Sequence, residues 1–198
     1  MTHVFFVRHA QPLHAWEDDR TRPLTDEGRE DAKSVLRHLR DVNMDVCYCS
    51  PYLRSMDTIA ETAAHFGLAI QPDERLRERE KGDEGNNHGM FRMRWADHYF
   101  HEPGGESIRM VQSRNIEALM EVLIKHPGKN ILIGTHGTAL SSILNYFRPE
   151  FGCDDFLRII DWMPYVIRLD FEGTQLVQTE EICHIYKEFI GNKRADKK

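Results

Sequence analysis

The sequence predicts an α/β fold, a three-layer α/β/α sandwich with a mainly parallel central sheet and an irregular lid segment. Three observations carry that reading. Short apolar runs alternate with stretches of helical periodicity from the amino terminus onward. Val4 to Val7 and Ile131 to Ile133 are apolar without interruption, the pattern of strands buried on both faces. Near the end, two strand-like runs flank Glu172-Gly173-Thr174, which predicts a closing hairpin. At 198 residues the chain is expected to form a single domain over 1–198, with a lid excursion at about 74–105.

In order, Val4 to Val7 is the first strand, followed by a polar loop from Gln11 to Pro23. Thr25 is placed to cap a helix, with Asp26 and Glu27 where carboxylates suit the positive end of the dipole. Ala32, Val35, Leu36 and Leu39 then line one helical face. Asp45 to Cys49 reads as the second strand. Ser50-Pro51 predicts a cap with proline at the first helical position, and Met56, Ile59, Ala60 and Ala63 form the buried stripe that follows. Beyond Gly67, Leu68-Ala69-Ile70 predicts a short third strand.

Glu74 to Gly105 is dense in charge, glycine and histidine, with little periodicity beyond what one short helix needs. Long irregular segments in compact domains are usually lids or disordered loops. Here Arg92, Arg94, Trp95, Tyr99 and Phe100 favour a lid, either facing an organic ligand or plugging the segment onto the sandwich. A helix follows from Ser107, then a strand from Asn130 to Thr135, a helix from Gly137 to Phe147, and the hairpin of Tyr165–Phe171 with Gln175–Thr179. The basic tail from Asn192 to Lys198 is expected to fray.

The composition narrows the function. A net charge of −6 argues against a nucleic-acid binder. No apolar stretch reaches membrane-spanning length, and Val4 to Val7 is too short for a signal-peptide core, so the expected location is cytoplasmic with no membrane partner. Cys47, Cys49, Cys153 and Cys183 include no CxxC pair, and Cys47 and Cys49 share a strand face; buried free thiols are the expectation.

The chemistry-bearing residues sit at strand ends, where open α/β sheets bind ligands. Arg8-His9 ends the first strand, Ser50 to Arg54 follows the second, and Thr135-His136-Gly137 follows the fourth. The last two lead into helices, whose free amides favour anions. A histidine nucleophile must be neutral, with its tautomer fixed by an acceptor. Guanidinium forks match phosphoryl oxygens, so Arg8 and Arg54 would bind that group, with a protonated His136 as a further donor. A carboxylic acid must protonate the leaving oxygen and then activate water. Taken singly, each of these residues has a duller account as a structural histidine, a surface ion pair or a helix cap. Their joint placement after three separate runs favours phosphoryl transfer.

In this arrangement the chain resembles the histidine phosphatase superfamily, also called the phosphoglycerate mutase-like family. Arg8-His9-Ala10-Gln11 is similar to its Arg-His-Gly signature, and Leu24-Thr25-Asp26-Glu27-Gly28 to its first helix start. Ser50-Pro51-Tyr52-Leu53-Arg54-Ser55, Leu76-Arg77-Glu78, Pro103-Gly104-Gly105-Glu106-Ser107 and Thr135-His136-Gly137 continue the match in order, over most of the chain. The resemblance implies a phosphohistidine intermediate on His9, Glu78 as acid and base with Glu80 as its rival, and substrate contacts from Arg8, Gln11, Arg54, His136 and Gly137. The chain departs from the family at Ala10, where glycine is usual. If that backbone needs φ > 0, the methyl group would cost about 1 kcal/mol or more.

The expected function is therefore a metal-independent phosphomonoester hydrolase of the histidine acid phosphatase type, acting on a small phosphorylated substrate without a cofactor. The alternatives are a mutase-type phosphoryl transferase and a weakly active phospho-ligand-binding relative. The chain is short and lacks the paired arginine segment by which mutases grip a sugar acid, so hydrolysis is favoured over transfer. A metal hydrolase built on His88, His98 and His101 is disfavoured, because Asp97 is the only close carboxylate and no HExxH motif occurs.

Overall fold

The computed structural model describes residues 1–189. Six strands form one sheet: β1 (Thr2–Arg8), β2 (Val46–Cys49), β3 (Ile70–Pro72), β4 (Asn130–Thr135), β5 (Trp162–Glu172) and β6 (Gln175–Tyr186). Their spatial order is β3-β2-β4-β1-β5-β6. The first four run parallel, β5 lies antiparallel to β1, and β6 antiparallel to β5. The helices are α1 (Asp26–Leu39), α2 (Leu53–His65), α3 (His88–Ala96), α4 (Ile108–Lys125), α5 (Gly137–Phe147) and α6 (Cys153–Ile159).

Strand side chains alternate between faces, and both faces of the central strands are apolar, so helices cover both. Phe5, Val7, Cys47, Cys49 and Leu132 pack with Val35 and Leu39 of α1 and with Ile59 and Ala63 of α2. Val4, Phe6, Ile131 and Ile133 pack on the other face with Leu119 of α4, Leu140 of α5 and Phe156 of α6. The result is the three-layer sandwich with a mainly parallel sheet. Cys47 and Cys49 are free and buried in the first of these layers.

The register of the parallel strands sets the site. Arg8 of β1 stands opposite Thr135 of β4, so His9 and His136 leave neighbouring strands at one level. The His9 amide donates to the Thr135 carbonyl at 3.2 Å, and the Ser50 amide to the Gly134 carbonyl at 3.0 Å. Gly134 permits that closeness, because a Cβ there would lie 2.5 Å from the Cys49 sulfur.

Local signals explain most element ends. The Thr25 hydroxyl accepts from the Gly28 amide at 2.9 Å, capping α1, and the Ser107 hydroxyl accepts from Met110 at 3.2 Å, capping α4. Four boundaries differ from the sequence reading. The segment Ser50-Pro51 is not helical, and α2 starts at Leu53 with Tyr52 as its cap residue. β3 covers Ile70–Pro72, because the Leu68 amide turns back to the Ala63 carbonyl and closes α2. The hairpin strands are longer, from Trp162 and to Tyr186. α6 was unforeseen, since seven residues are too few to display a period. The basic tail from Asn192 lies outside the described residues. Among the described residues no helix is long and apolar enough to cross a membrane.

Candidate active site

A cavity of about 690 Å³ lies beside the carboxyl ends of β1 and β2, and Arg8, His9, Gln11, Arg54 and Glu78 are among its lining residues. His136 and Gly137 stand behind that wall. The His136 ring is wholly buried, 5.2 Å from the His9 ring centroid. Gly137 backs the Arg8 guanidinium, since a Cβ there would meet its central carbon at 3.3 Å. Gln11 is turned to α1, its side-chain oxygen accepting from the Thr25 hydroxyl at 3.0 Å.

His9 has the tautomer of a nucleophile. Its Nδ1 lies 2.7 Å from the Ala10 carbonyl, which can only accept, so Nδ1 carries the proton and Nε2 keeps the lone pair. Burial, then the charges of Arg54 and Arg8, push its pKa well below the ordinary value of 6.5 and keep the ring neutral. His136 is depressed in the same way, by burial first and then Arg54 and His9. Its Nε2 lies 2.6 Å from the Ser50 hydroxyl, while its buried Nδ1 has no hydrogen-bond partner among the described residues.

The two arginines are held differently. Arg8 donates to the carbonyls of Ile159 at 2.5 Å, Ile160 at 2.9 Å and Trp162 at 3.1 Å, and its buried Nε has no hydrogen-bond partner among the described residues. Burial lowers its pKa to about 10, with Glu78 and Asp161 opposing that fall. Arg54 donates to the Asp19 carbonyl at 2.6 Å, has the Asp19 carboxylate at 3.4 Å, and lies 5.0 Å from the Tyr52 ring centroid. Carbonyl dipoles rather than a carboxylate hold Arg8, so this corner is electropositive and desolvated. Such a place favours an anion with several acceptor oxygens.

Glu78 reaches the cavity from the segment that follows β3. Its carboxylate accepts from the amides of Thr138 and Ala139 at 3.1 Å, in the first turn of α5, and from Arg79 at 2.8 Å. Glu80 is exposed and is not a lining residue. The loop bearing Glu78 is fixed by Arg114 of α4, whose guanidinium donates to the carbonyls of Arg75, Arg77 and Glu78 and pairs with Glu106 at 2.8 Å.

Of the two readings of the lid segment, the structure contains the plug and not the ligand-facing wall. None of Arg92, Arg94, Trp95, Tyr99 and Phe100 lines the cavity. Trp95 is buried, 5.7 Å from Phe156 and 6.3 Å from Phe151, so it plugs the segment onto the sandwich. Arg94 is buried against Glu102, Arg92 pairs at the surface with Asp154 at 3.5 Å, and Tyr99 is exposed. The residues of this segment that do face the cavity are Glu78, Arg79, Lys81 and the stretch from Glu84 to Asn87. The positive φ that would strain Ala10 is absent. No non-glycine residue among those described has positive φ, and the Ala10 methyl packs with Leu24 and Ala32.

Sequence reasoning missed Asp19 against Arg54, Ser50 against His136, and Arg114 under Glu78. Only Ser50 carried a signal, a hydroxyl at a strand end in the arginine motif, and it was read as a helix cap.

Comparison with known proteins adds the family context. The model of the histidine phosphatase superfamily (branch 1) matches residues 4–177. A 2,3-bisphosphoglycerate-dependent phosphoglycerate mutase of Gloeobacter violaceus is 27% identical over 172 residues, 76% of this chain and 78% of that one. Phosphoserine phosphatase 1 of Hydrogenobacter thermophilus is 27% identical over 98% of this chain and 100% of its own length. The solved structure of Bacillus stearothermophilus YhfR superposes with a TM-score of 0.73 at 26% identity, covering 89% of this chain and 95% of that one.

Proposed function

This chain belongs to the histidine phosphatase superfamily, and we propose that within it the protein is a phosphomonoester hydrolase working through a phosphohistidine on His9. Members similar to it include both phosphatases and mutases, so the reaction is argued from the site. The observation that carries the reading is a neutral His9 with its lone pair on Nε2, in a site with the buried Arg8 Nε and His136 Nδ1, neither of which has a hydrogen-bond partner among the described residues. A bound phosphoryl group supplies acceptors for both.

In the first step Nε2 of His9 attacks phosphorus and the P–O bond to the alcohol breaks. Glu78, protonated, gives its proton to the departing oxygen. The Glu78 carboxylate then takes a proton from water, whose oxygen attacks phosphorus and breaks the P–N bond. Inorganic phosphate leaves, and His9 and Glu78 return to their starting forms. Arg8, Arg54 and His136 hold the phosphoryl oxygens, and the positive charge of the two guanidinium groups stabilises the transition state in a site already organised for it. A cavity of about 690 Å³ leaves room for water beside the phosphoryl group, which favours hydrolysis over return of the phosphoryl group to an acid.

The test is phosphate release from para-nitrophenyl phosphate with an alkaline quench to trap the phosphoenzyme. Wild type is expected to release phosphate and to carry label on His9, and His9→Ala to lose turnover by about 10³-fold or more. Glu78→Gln should lose about 10²-fold or more on an alkyl ester, and Glu80→Gln little. Equal, negligible release by wild type and His9→Ala would reject the hydrolase, and isomerisation of a phosphoglycerate without phosphate release would assign the chain to the mutases.

A further inference from the structure

Resting on the reading just given, we propose that the site selects phosphomonoesters whose alcohol bears an aromatic ring or an apolar group of similar size, with Phe189 as the selecting residue. The cavity, at about 690 Å³, is far larger than a phosphoryl group, and part of its wall is apolar. The loop after β1 contributes Pro12, Leu13 and Ala15, the start of β5 contributes Met163, and the segment after β6 contributes Phe189. Polar residues line the rest of the wall, Asp19, Arg22 and Thr25 from the connection between β1 and α1 and Lys81, Glu84 and Asn87 from the segment between β3 and α4. Phe189 meets the His14 ring edge-on at 5.8 Å, which joins the loop and the carboxy-terminal segment, and its ring lies 6.1 Å from that of Phe91 in α3.

Phe189 is also held in place. Lys187 pairs with Glu27 and, at 2.9 Å, with Asp31, tying the segment to α1. The backbone amide of Lys187 donates to the Asp161 carbonyl, and that of Phe189 to the Asp161 carboxylate, both at 2.6 Å. Asp161 sits between Ile160 and Trp162, whose carbonyls grip Arg8. One short loop therefore fixes both the phosphate-binding guanidinium and the aromatic wall, and Asp161 is the positioning residue between them. A fixed, half-buried ring beside a phosphate corner gains by covering a second apolar group and loses by facing a small charged acid.

The experiment compares esters with alkoxide leaving groups of similar chemistry, 2-phenylethyl phosphate and ethyl phosphate. Wild type is expected to favour the phenyl ester by about tenfold or more in kcat/KM. Phe189→Ala should bring the ratio to within about threefold of unity, Phe189→Leu should keep part of it, and Asp161→Asn should reduce it. Binding of 2-phenylethylphosphonate and ethylphosphonate to His9→Ala, measured by calorimetry, should show the same preference without turnover. A ratio near one in wild type, or a ratio untouched by Phe189→Ala, would overturn the apolar wall while leaving the hydrolase standing. If neither ester is hydrolysed the hydrolase falls, and equal phosphonate affinities would then remove the wall as well.

Discussion

Two regions bring the candidate groups to one site by opposite means. His9 and His136 extend from adjacent parallel strands, where the pairing of Arg8 with Thr135 fixes their level and apolar layers on both faces fix the strands. Glu78 extends from a segment with almost no regular structure, where charge does that work. Arg114 threads three carbonyls of the loop, and Glu102 draws in Arg79 and Arg94, all three side chains nearly inaccessible to solvent. The corner proposed to bind phosphate is therefore set by the core of the fold, whereas the proposed acid and base, Glu78, depends on a local ionic lattice. The first can fail only with the whole domain. The second can fail alone.

The largest effect that would break this contrast comes from Glu102. Burial opposes its ionisation, yet bonds from Arg94, the charge of Arg79 and the Gly82 amide hold its carboxyl at about 2. Gly82 fits so closely that a Cβ would lie 2.3 Å from the Glu102 side chain. Glu102→Ala leaves two buried guanidinium groups without their carboxylate, a loss of about 3–5 kcal/mol. The expected outcome is local: hydrogen exchange accelerates across residues 77–106 while the amides of β1 and β4 keep their protection, and turnover falls as Glu78 loses its position. Uniform loss of protection across the sheet would show that the two regions are one cooperative unit.

The same contrast explains what could be read from the sequence. His9, Arg8 and His136 were legible because a buried parallel strand announces itself by an uninterrupted apolar run, and the residue after it must lie at the sheet edge. α1 and α4 were legible from Thr25 and Ser107, whose caps the structure contains. Ser50 was misassigned because a hydroxyl before proline carries the same signal whether it caps a helix or meets a histidine from a strand far away in sequence. Trp95 shows the limit in the lid segment: an aromatic residue in a charged stretch can face ligand or core, and only the position of Phe156 decides. Arg114 was invisible for a related reason. A helical arginine is usually a solvated charge, and the carbonyls that engage it have no side-chain signature.

A smaller effect tests the sheet-borne half through pH. His9 and His136 are held neutral well below 6.5, while in the unfolded chain both titrate near that value. Below pH 6.5 the unfolded state therefore binds two protons that the folded state refuses, so stability rises with pH through this window and is lost as pH falls. Between pH 7.5 and 5.5 the pair should remove about 3 kcal/mol. Urea unfolding in phosphate-free buffer checks this, with a His9→Asn, His136→Asn double variant losing correspondingly less over the same interval. Equal losses would mean that the imidazoles are not kept neutral by the fold.

The smallest effect sits at Ala10, between the two histidine-bearing strands and α1. Were its backbone in the left-handed region, replacement by glycine would relieve strain and raise stability. Its φ is not positive, its amide donates to the Thr58 hydroxyl at 2.9 Å, and its methyl is buried with Leu24 and Ala32. Ala10→Gly should therefore destabilise the protein, by about 0.4–1 kcal/mol from the freer unfolded chain and about 0.8 kcal/mol from the lost methyl contact. Because the Ala10 carbonyl also fixes the His9 tautomer, the variant should broaden the His9 imidazole signals in nitrogen NMR along with the lower urea midpoint. A higher midpoint would place strain at this position and reverse the account of why alanine is tolerated beside the reacting histidine.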